Sequence, residues 1–308
     1  MRTLVTGGAG FIGSHIVEEL LQRGHTVRVL DNFSTGTRKN LEDFQGKVEI
    51  LEGDLCDAET VKTAVRDVEH IFHLAAFVSV PQSMSDPETC FEVNVGGTVT
   101  LLEAARRAGS RKVVISSSTA VYGDTDVFPT TEETTLRPLS PYAVSKQVNE
   151  LYARLYTQIM GLPVTILRYY NVYGPRQRPD SDYAAAIPIF VRQLAASKPI
   201  TVFGDGKQSR DFIFVKDVVR ANLLAVDSDT SGEPFNICTG HETTLLDLLE
   251  KLSEIAPHPP EVCFDAPRSG DIYRSVGSPD KAATLLGFRA ETSLAEGLAQ
   301  TVDWMIKK

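Results

Sequence analysis

Tyr142 and Lys146 are the residues whose types and spacing point most directly to chemistry. They are four positions apart, so they share one face if their segment is helical. Ser140 and Pro141 stand just before them, in the order typical of a helix N-cap and first helical residue. The pKa of a free tyrosine is about 10, and a neighbouring ammonium favours its phenolate. The pair could supply a general base, although an exposed Tyr and Lys on an amphipathic helix would give the same pattern.

Three consecutive serines, at positions 116–118, follow a short apolar run that is typical of a buried strand. The carboxyl ends of parallel strands line the ligand site of a doubly wound sheet, so these hydroxyls are expected at that edge. One of them could hold a substrate oxygen beside Tyr142. A polar turn after the strand is the alternative.

A glycine-rich turn separates the first apolar run from the first helical stretch, with Gly7, Gly10 and Gly13 spaced three apart. Glycines let the backbone approach a pyrophosphate, and the N–H groups of a helix start meet its negative charge. Asp31 ends the second apolar run, 18 residues after Gly13. A carboxylate there can accept hydrogen bonds from an adenosine ribose and repels a 2′-phosphate, which predicts NAD as cofactor. A surface turn at Asp31 is the alternative.

The elements that must position these residues alternate along the first half of the chain. Apolar runs rich in Val, Ile and Leu are found at 3–6, 26–30, 48–51, 70–75, 112–116 and 164–168. Helical stretches lie between them at 12–23, 58–65, 87–108 and 141–160. A strict alternation of strands and helices implies a parallel sheet with right-handed crossovers. We therefore predict an α/β fold with a Rossmann-type doubly wound sheet, whose strand ends add Asp54-Leu55 and Ala75-Ala76 to the ligand edge.

The pattern loosens after residue 170, where loops lengthen and Pro and Gly cluster. Helical patterns remain at 185–196, 216–226, 244–255 and 294–306. We predict an NAD-binding Rossmann domain over 1–170 and a smaller substrate-binding domain over 171–308. Residues 212–240 are expected to return to the first domain.

Composition narrows the class of protein. The chain has 308 residues and a formal net charge of -9, which argues against a general nucleic-acid binder. Its four cysteines are scattered and suggest neither a metal nor a redox site. The first residues already form a strand pattern, and no apolar run approaches the roughly 20 residues of a membrane span. The simplest expected location is the cytoplasm.

Taken together, the motifs resemble those of the extended short-chain dehydrogenase/reductase family, specifically its NAD-dependent nucleotide-sugar epimerase branch. The resemblance covers nearly the whole chain. Its pieces are residues 6–13, 30–32, 53–55, 73–76, 94–95, 116–118, 121–123, 142–146 and 168–171. Each piece alone is weak, but the set is highly specific.

The resemblance implies a catalytic trio of Ser118, Tyr142 and Lys146. Ser118 is preferred over its neighbours because it stands four before Tyr122 in the Ser…Val-Tyr-Gly pattern. The implied cofactor contacts are Gly7, Gly10, Phe11, Ile12, Gly13, Asp31, Asn32, Asp54, Leu55, Leu74, Ala75, Ala76, Asn94, Ser116, Tyr142, Lys146 and Tyr169.

The implied nucleotide-sugar contacts extend into the second half. They are Ser79, Val80, Ser118, Tyr142, Asn171, Val202, Phe203, Arg210, Arg268, Asp271 and Ser275. Arg210 and Arg268 would hold the diphosphate, because a guanidinium fork suits phosphate oxygens. Solvated surface charges are the alternative for both.

The activity implied by the resemblance is UDP-sugar 4-epimerisation through a transient 4-keto sugar, interconverting UDP-glucose and UDP-galactose. Family members with a small residue at the position of Ser275 also accept N-acetylated sugars. Thr119-Ala120 lack the carboxyl groups that the dehydratase and decarboxylase branches carry there. UDP-glucuronate 4-epimerisation or decarboxylation and a non-catalytic NAD-binding regulator remain alternatives.

A homodimer is also implied by the resemblance. The apolar segments at Leu101-Leu102 and 151–155 permit it, and burial in the core explains them equally well.

Overall fold

The computed structural model describes residues 1–178, 185–256, 260–267 and 272–307. Its strands are β1 (Arg2–Thr6), β2 (Thr26–Asp31), β3 (Val48–Glu52), β4 (His70–His73), β5 (Lys112–Ser118), β6 (Val164–Tyr169), β7 (Asn171–Tyr173), β8 (Ile200–Phe203), β9 (Ser209–Arg210), β10 (Phe212–Phe214), β11 (Pro234–Ile237), β12 (Thr243–Thr244), β13 (Val262–Asp265) and β14 (Arg274–Ser275). Its helices are α1 (Phe11–Gln22), α2 (Ala58–Ala64), α3 (Val80–Ser85), α4 (Pro87–Phe91), α5 (Gly97–Ala108), α6 (Pro141–Gln158), α7 (Ala186–Ala195), α8 (Val215–Asp227), α9 (Leu245–Ile255), α10 (Asp280–Leu286) and α11 (Leu294–Ile306).

Seven parallel strands form the central sheet in the order β11-β6-β5-β4-β1-β2-β3. The chain order reverses between β1 and β4, which is the switch point where a doubly wound sheet binds its ligands. The apolar runs form these strands because both faces of the sheet are covered by helices. The predicted Rossmann-type fold is confirmed.

Two apolar layers enclose the sheet. On one face, α1, α8 and α10 pack over β1, β2 and β6, with Ile16 and Val218 in the core. On the other face, α2, α5 and α6 pack together, with Leu101 and Leu102 fully buried. These layers fix the starts of α1 and α6 at the switch-point edge.

A third apolar cluster lies in the second half of the chain. It joins β8 to α7, α9 and α11 and includes Ile200, Val202 and Leu248. β8 pairs with β13, and a small three-stranded sheet is formed by β12, β9 and β14. Within 212–240, β11 joins the central sheet beside β6, while β10 pairs with β7.

The helix predicted over 87–108 is instead divided. α4 passes into one π-helical turn at Glu92–Gly96 before α5 begins. Within that turn Asn94 is buried, and the Thr98 hydroxyl donates to its carbonyl at 2.5 Å. Such local widening is frequent at functional sites.

No helix in the described part of the chain is both long and apolar enough to cross a membrane.

Candidate active site

The glycine turn between β1 and α1 forms a tight cradle. Gly7 has φ 68°, a left-handed conformation that favours glycine. A Cβ there would lie 2.7 Å from Ala75 N, and one at Gly13 would overlap the Gly7 carbonyl oxygen. A side chain at either position would therefore collide with neighbouring backbone atoms. Glycines allow the turn to pack closely against the start of α1, where N–H groups can meet a phosphate.

Asp31 lies at the end of β2, beside this cradle. Its Oδ2 accepts from Ala9 N at 2.9 Å and its Oδ1 accepts from Phe33 N at 2.8 Å. Each carboxylate oxygen keeps a lone pair for a further donor. Burial raises the pKa of Asp31 and the two backbone N–H groups act against that rise.

α6 brings the candidate catalytic side chains to the ends of β4 and β5. Ser140 caps the helix by accepting from Ala143 N at 3.1 Å. The Lys146 ammonium donates to Ser116 O at 2.9 Å and lies 5.7 Å from the Tyr142 ring centroid. Ser118, at the end of β5, lies close enough to Tyr142 to lower the pKa of that tyrosine. The structure therefore gathers the predicted trio at one point.

Burial controls the protonation of this group. It raises the pKa of Tyr142 to about 12, against the opposing effect of the Ser118 hydroxyl. It lowers the pKa of Lys146 to about 8. Both neutral forms are favoured because charge is poorly solvated there. Further positive charge near Tyr142 would be needed to hold it as a phenolate at neutral pH.

One continuous cleft of about 790 Å³ contains the glycine cradle and Tyr142. All but one of the predicted cofactor contacts line it: Gly7, Gly10, Phe11, Ile12, Gly13, Asp31, Asn32, Asp54, Leu55, Leu74, Ala75, Ala76, Ser116, Tyr142, Lys146 and Tyr169. Ser79 and Val80 line it as well.

Asn94 is the exception. It is 1% exposed, and its side chain is bonded within the protein. Oδ1 accepts from Phe77 N at 2.7 Å, while Nδ2 donates to Phe77 O and to Ser145 Oγ. Rather than facing the cleft, Asn94 ties the segment after β4 to α6. A direct contact of Asn94 with the cofactor stays a prediction.

The remaining predicted substrate contacts are dispersed. Val202 is fully buried in the third cluster, so its side chain cannot reach a ligand. Phe203 lines a separate pocket of about 490 Å³ together with Gln208 and Tyr273. Arg210 and Ser275 are paired neighbours on β9 and β14.

The predicted substrate contacts also include Asn171, Arg268 and Asp271. Asn171, on β7, is held by Asp211, whose carbonyl accepts from its backbone N–H at 3.1 Å. It is half-buried and does not line the large cleft. Arg268 and Asp271 lie outside the described residues.

Some residues of the cleft had not been predicted from the sequence. Arg176, Gln177 and Arg178 line it from the segment after β7. Arg176 pairs with Glu18 of α1 at 2.8 Å, and His15 of α1 contacts Pro175 O at 2.9 Å. The Pro and Gly cluster at 174–179 marked a loop, but nothing in that pattern indicated that it would contact α1.

The cleft fits a dinucleotide. The glycine cradle leaves room at a helix start for a pyrophosphate, and Asp31 offers acceptors for ribose hydroxyls. At the other end Tyr142 and Lys146 lie where the reactive ring of such a cofactor would meet a substrate.

Comparisons with known proteins agree with this geometry. A model of the NAD dependent epimerase/dehydratase family matches residues 3–238. The chain is 43% identical over 312 aligned positions to a UDP-glucose 4-epimerase of Mycolicibacterium smegmatis, covering 100% of this chain and 99% of that protein.

Two solved structures extend the likeness. The UDP-glucose 4-epimerase of Thermus thermophilus, solved as a complex with NAD, has a TM-score of 0.91 and 43% identity, covering 99% of both chains. The UDP-N-acetylglucosamine 4-epimerase of Methanobrevibacter ruminantium, in complex with UDP-N-acetylmuramic acid, has a TM-score of 0.96 and 36% identity, covering 99% of this chain and 98% of that one. The resemblance stated from the motifs is confirmed: this chain belongs to the NAD dependent epimerase/dehydratase family.

Proposed function

We propose that the chain is a UDP-sugar 4-epimerase that interconverts UDP-glucose and UDP-galactose through a transient 4-keto sugar. The observation that carries the proposal is the placement of Tyr142 and Lys146 in the dinucleotide cleft, with Ser118 close to Tyr142 at the end of β5. The M. smegmatis and T. thermophilus relatives bear the name of this activity.

The chain's own residues would move one proton in each direction. Tyr142 Oη takes the proton of the sugar 4-hydroxyl and later returns it, so the base is regenerated in each cycle. Ser118, which lies close to Tyr142, orients the same hydroxyl. The Lys146 ammonium stabilises the phenolate and is itself held by Ser116 O.

NAD, when bound, supplies a reversible hydride acceptor for the sugar C4. Inversion then requires the keto sugar to present its other face while the nucleotide stays anchored. We propose that Phe203 and Arg210 belong to that anchor, since Phe203 lines the second pocket and Arg210 lies on the adjoining small sheet. The nucleotide is then held in place, and the sugar is the part of the substrate that is free to turn.

We further propose that N-acetylhexosamines are accepted. The size of Ser275 supports this, because it is a small, half-buried residue next to Arg210 on β14, where a bulky side chain would take more room. The M. ruminantium relative is named for UDP-N-acetylglucosamine.

The test uses the purified protein without added NAD. It is incubated with UDP-galactose, UDP-N-acetylgalactosamine and, separately, UDP-glucuronate, and the products are resolved by chromatography. We expect the 4-epimer of each of the first two sugars. Conversion of UDP-glucuronate alone would move the assignment to the uronate branch. No conversion of any sugar, even with NAD added, would contradict the proposed function.

We also propose a homodimer, built on the outer face of α6. Leu151 is 57% exposed, and Val144, Leu155 and Ile159 are exposed along the same helix face. An apolar stripe of this length is typical of a protein–protein contact. Leu101 and Leu102 are fully buried, which agrees with the core interpretation of that segment.

A further inference from the structure

Arg168 and Glu150 form a buried ion pair beneath the candidate catalytic group. The Arg168 guanidinium donates from Nε to Glu150 Oε1 at 2.9 Å and from Nη2 to Oε2 at 2.6 Å. The two side chains are 1% and 2% exposed. Two parallel charge-assisted bonds fix both position and angle, which a single contact does not. Removing either partner would leave an uncompensated buried charge.

The pair is attached to the elements that carry the catalytic groups. Glu150 follows Lys146 by one helical turn and Tyr142 by two, so all three share a face of α6. Ser117 Oγ, on β5, donates to Glu150 Oε1 at 2.6 Å. The neighbouring Ser116 carbonyl accepts from Lys146. α6 and β5 are therefore joined at two adjacent residues of the strand, Ser116 and Ser117.

Arg168 extends the connection to the rest of the sheet. Its Nη1 donates to Tyr122 Oη at 2.9 Å, and its guanidinium carbon lies 4.9 Å from the centroid of that ring. Tyr122 Oη in turn donates to Asn236 Oδ1 at 2.6 Å. Through these bonds β6 and β11 hold the guanidinium, and the guanidinium holds Glu150.

We propose that Glu150, held by Arg168, is a positioning residue for the proton transfer assigned to Tyr142. It fixes α6 against β5, so that Tyr142, Lys146 and Ser118 keep their relative positions. Its negative charge also balances Arg168, so the ion pair adds no net charge beside Lys146. This inference rests on the proposed epimerase function.

The other groups around this cluster do not supply that balance. Burial raises the pKa of the Cys90 thiol on α4 and lowers the pKa of His73 on β4 to about 3, so both are neutral near pH 7. The other groups that face Glu150 and Lys146 from the packed elements are Tyr142, Arg168, Tyr122 and Glu132. The Glu132 carbonyl accepts from Arg168 Nη1 at 3.4 Å, while its carboxylate accepts from Asn236 N at 2.7 Å.

The test compares two single variants, which change the charge of the ion pair in opposite directions, with a double variant that removes both charges. Glu150→Gln leaves extra positive charge beside Tyr142 and Lys146, which lowers the pKa values of neighbouring groups. The acidic and basic limbs of the pH profile of kcat therefore both shift to lower pH. Arg168→Met leaves extra negative charge, so both limbs shift to higher pH. We expect shifts of about one pH unit and a loss in kcat of about a hundredfold in each single variant.

The double variant Glu150→Gln/Arg168→Met separates positioning from general damage. Because no buried charge is left unpaired, we expect its pH limbs to return to those of the unmodified protein. Its kcat should recover at least about tenfold over the single variants but remain at least about tenfold below the unmodified protein, with KM within about threefold. Should the single variants fail to fold, the double variant alone decides.

Two reference proteins complete the experiment. Glu254→Gln disrupts an exposed pair with Lys251 on α9 and should leave kcat and both limbs unchanged. The unmodified protein must epimerise in the same assay; if it does not, the proposed function fails and this inference falls with it. Unshifted limbs in both single variants, or native kcat in the double variant, would overturn the positioning role alone.

Discussion

At the scale of single residues, the site opposes the ionisation that its proposed chemistry requires. Burial raises the pKa of Tyr142 to about 12 and lowers that of Lys146 to about 8. The ammonium and the phenolate stabilise each other only if both charged forms are present. A positively charged cofactor ring beside Tyr142 would favour its phenolate, so the base is expected to become active only in the loaded cleft.

Replacing Tyr142 by Phe removes the proton acceptor and little else. We expect kcat to fall by at least about a thousandfold, because general base catalysis contributes that order of rate, while NAD and UDP-sugar binding persist. Tyr152→Phe, a half-buried tyrosine on the same helix, is the matched control and should retain activity. Comparable losses in both variants would show that helix damage, rather than the lost hydroxyl, causes the effect.

At the scale of elements, the glycine turn is limited by space. A Cβ at Gly13 would overlap the Gly7 carbonyl oxygen, whereas one at Gly96 would meet no atom within 4 Å. Gly13→Ala is expected to lower the free energy of unfolding by about 2 kcal/mol or more and to yield protein that retains little NAD. Gly96→Ala should match the unmodified protein in denaturant unfolding and in bound NAD measured by absorbance. Equal NAD content in the two variants would contradict the role of the glycine turn in binding the cofactor.

His15 joins α1 to the segment after β7 from a buried position that disfavours its charged form. Burial lowers its pKa to about 4, so the unfolded chain binds a proton at pH 5 that the folded protein largely does not. The neutral imidazole therefore contributes to the free energy of unfolding at pH 7, and this contribution is lost as the pH falls from about 6.5 towards 4. At pH 5 the loss is about 2 kcal/mol.

His15→Gln keeps a donor but cannot titrate. Urea unfolding at pH 7 and pH 5 measures how much the free energy of unfolding falls between the two pH values. In His15→Gln this fall should be smaller by about 2 kcal/mol than in the unmodified protein. His241→Gln, on an exposed turn, should leave that loss unchanged. An identical pH response in His15→Gln would contradict the role of the neutral imidazole.

The elements themselves were largely predictable, because periodic apolar runs determine them locally. Strands such as β2 and β6 and helices such as α1 and α11 lie within a few residues of their predicted bounds. The division of the predicted 87–108 helix was not predictable, since it depends on contacts of Asn94 with distant Phe77 and Ser145. α3, capped by Ser79, was also missed because its six residues carry no clear period.

The candidate site was predictable where it follows motifs and not where it depends on tertiary contacts. The glycine turn, Asp31 and the Tyr–Lys pair follow from spacing. Glu150 was visible only as a third member of the same helix face, and its partner Arg168 lies within an apolar run that gave no sign of pairing.

At the scale of the whole molecule, the outer face of α6 is the surface proposed for a second copy. Leu151→Glu places a charge in the middle of the exposed apolar stripe and is expected to convert a dimer into monomers in analytical ultracentrifugation. Leu285→Glu, on α10, is the matched control because its side chain is 47% exposed away from that helix. A monomeric unmodified protein, or a dimer that survives Leu151→Glu, would refute this interface.

The central claim is that C4 of the sugar is oxidised and reduced within one closed site. It is tested by incubating the protein with UDP-galactose carrying deuterium at C4 in ordinary water and analysing the product by mass spectrometry. We expect UDP-glucose that retains deuterium at C4, with no requirement for added NAD and no accumulation of NADH. Loss of deuterium to water, or stoichiometric rather than catalytic turnover, would contradict it.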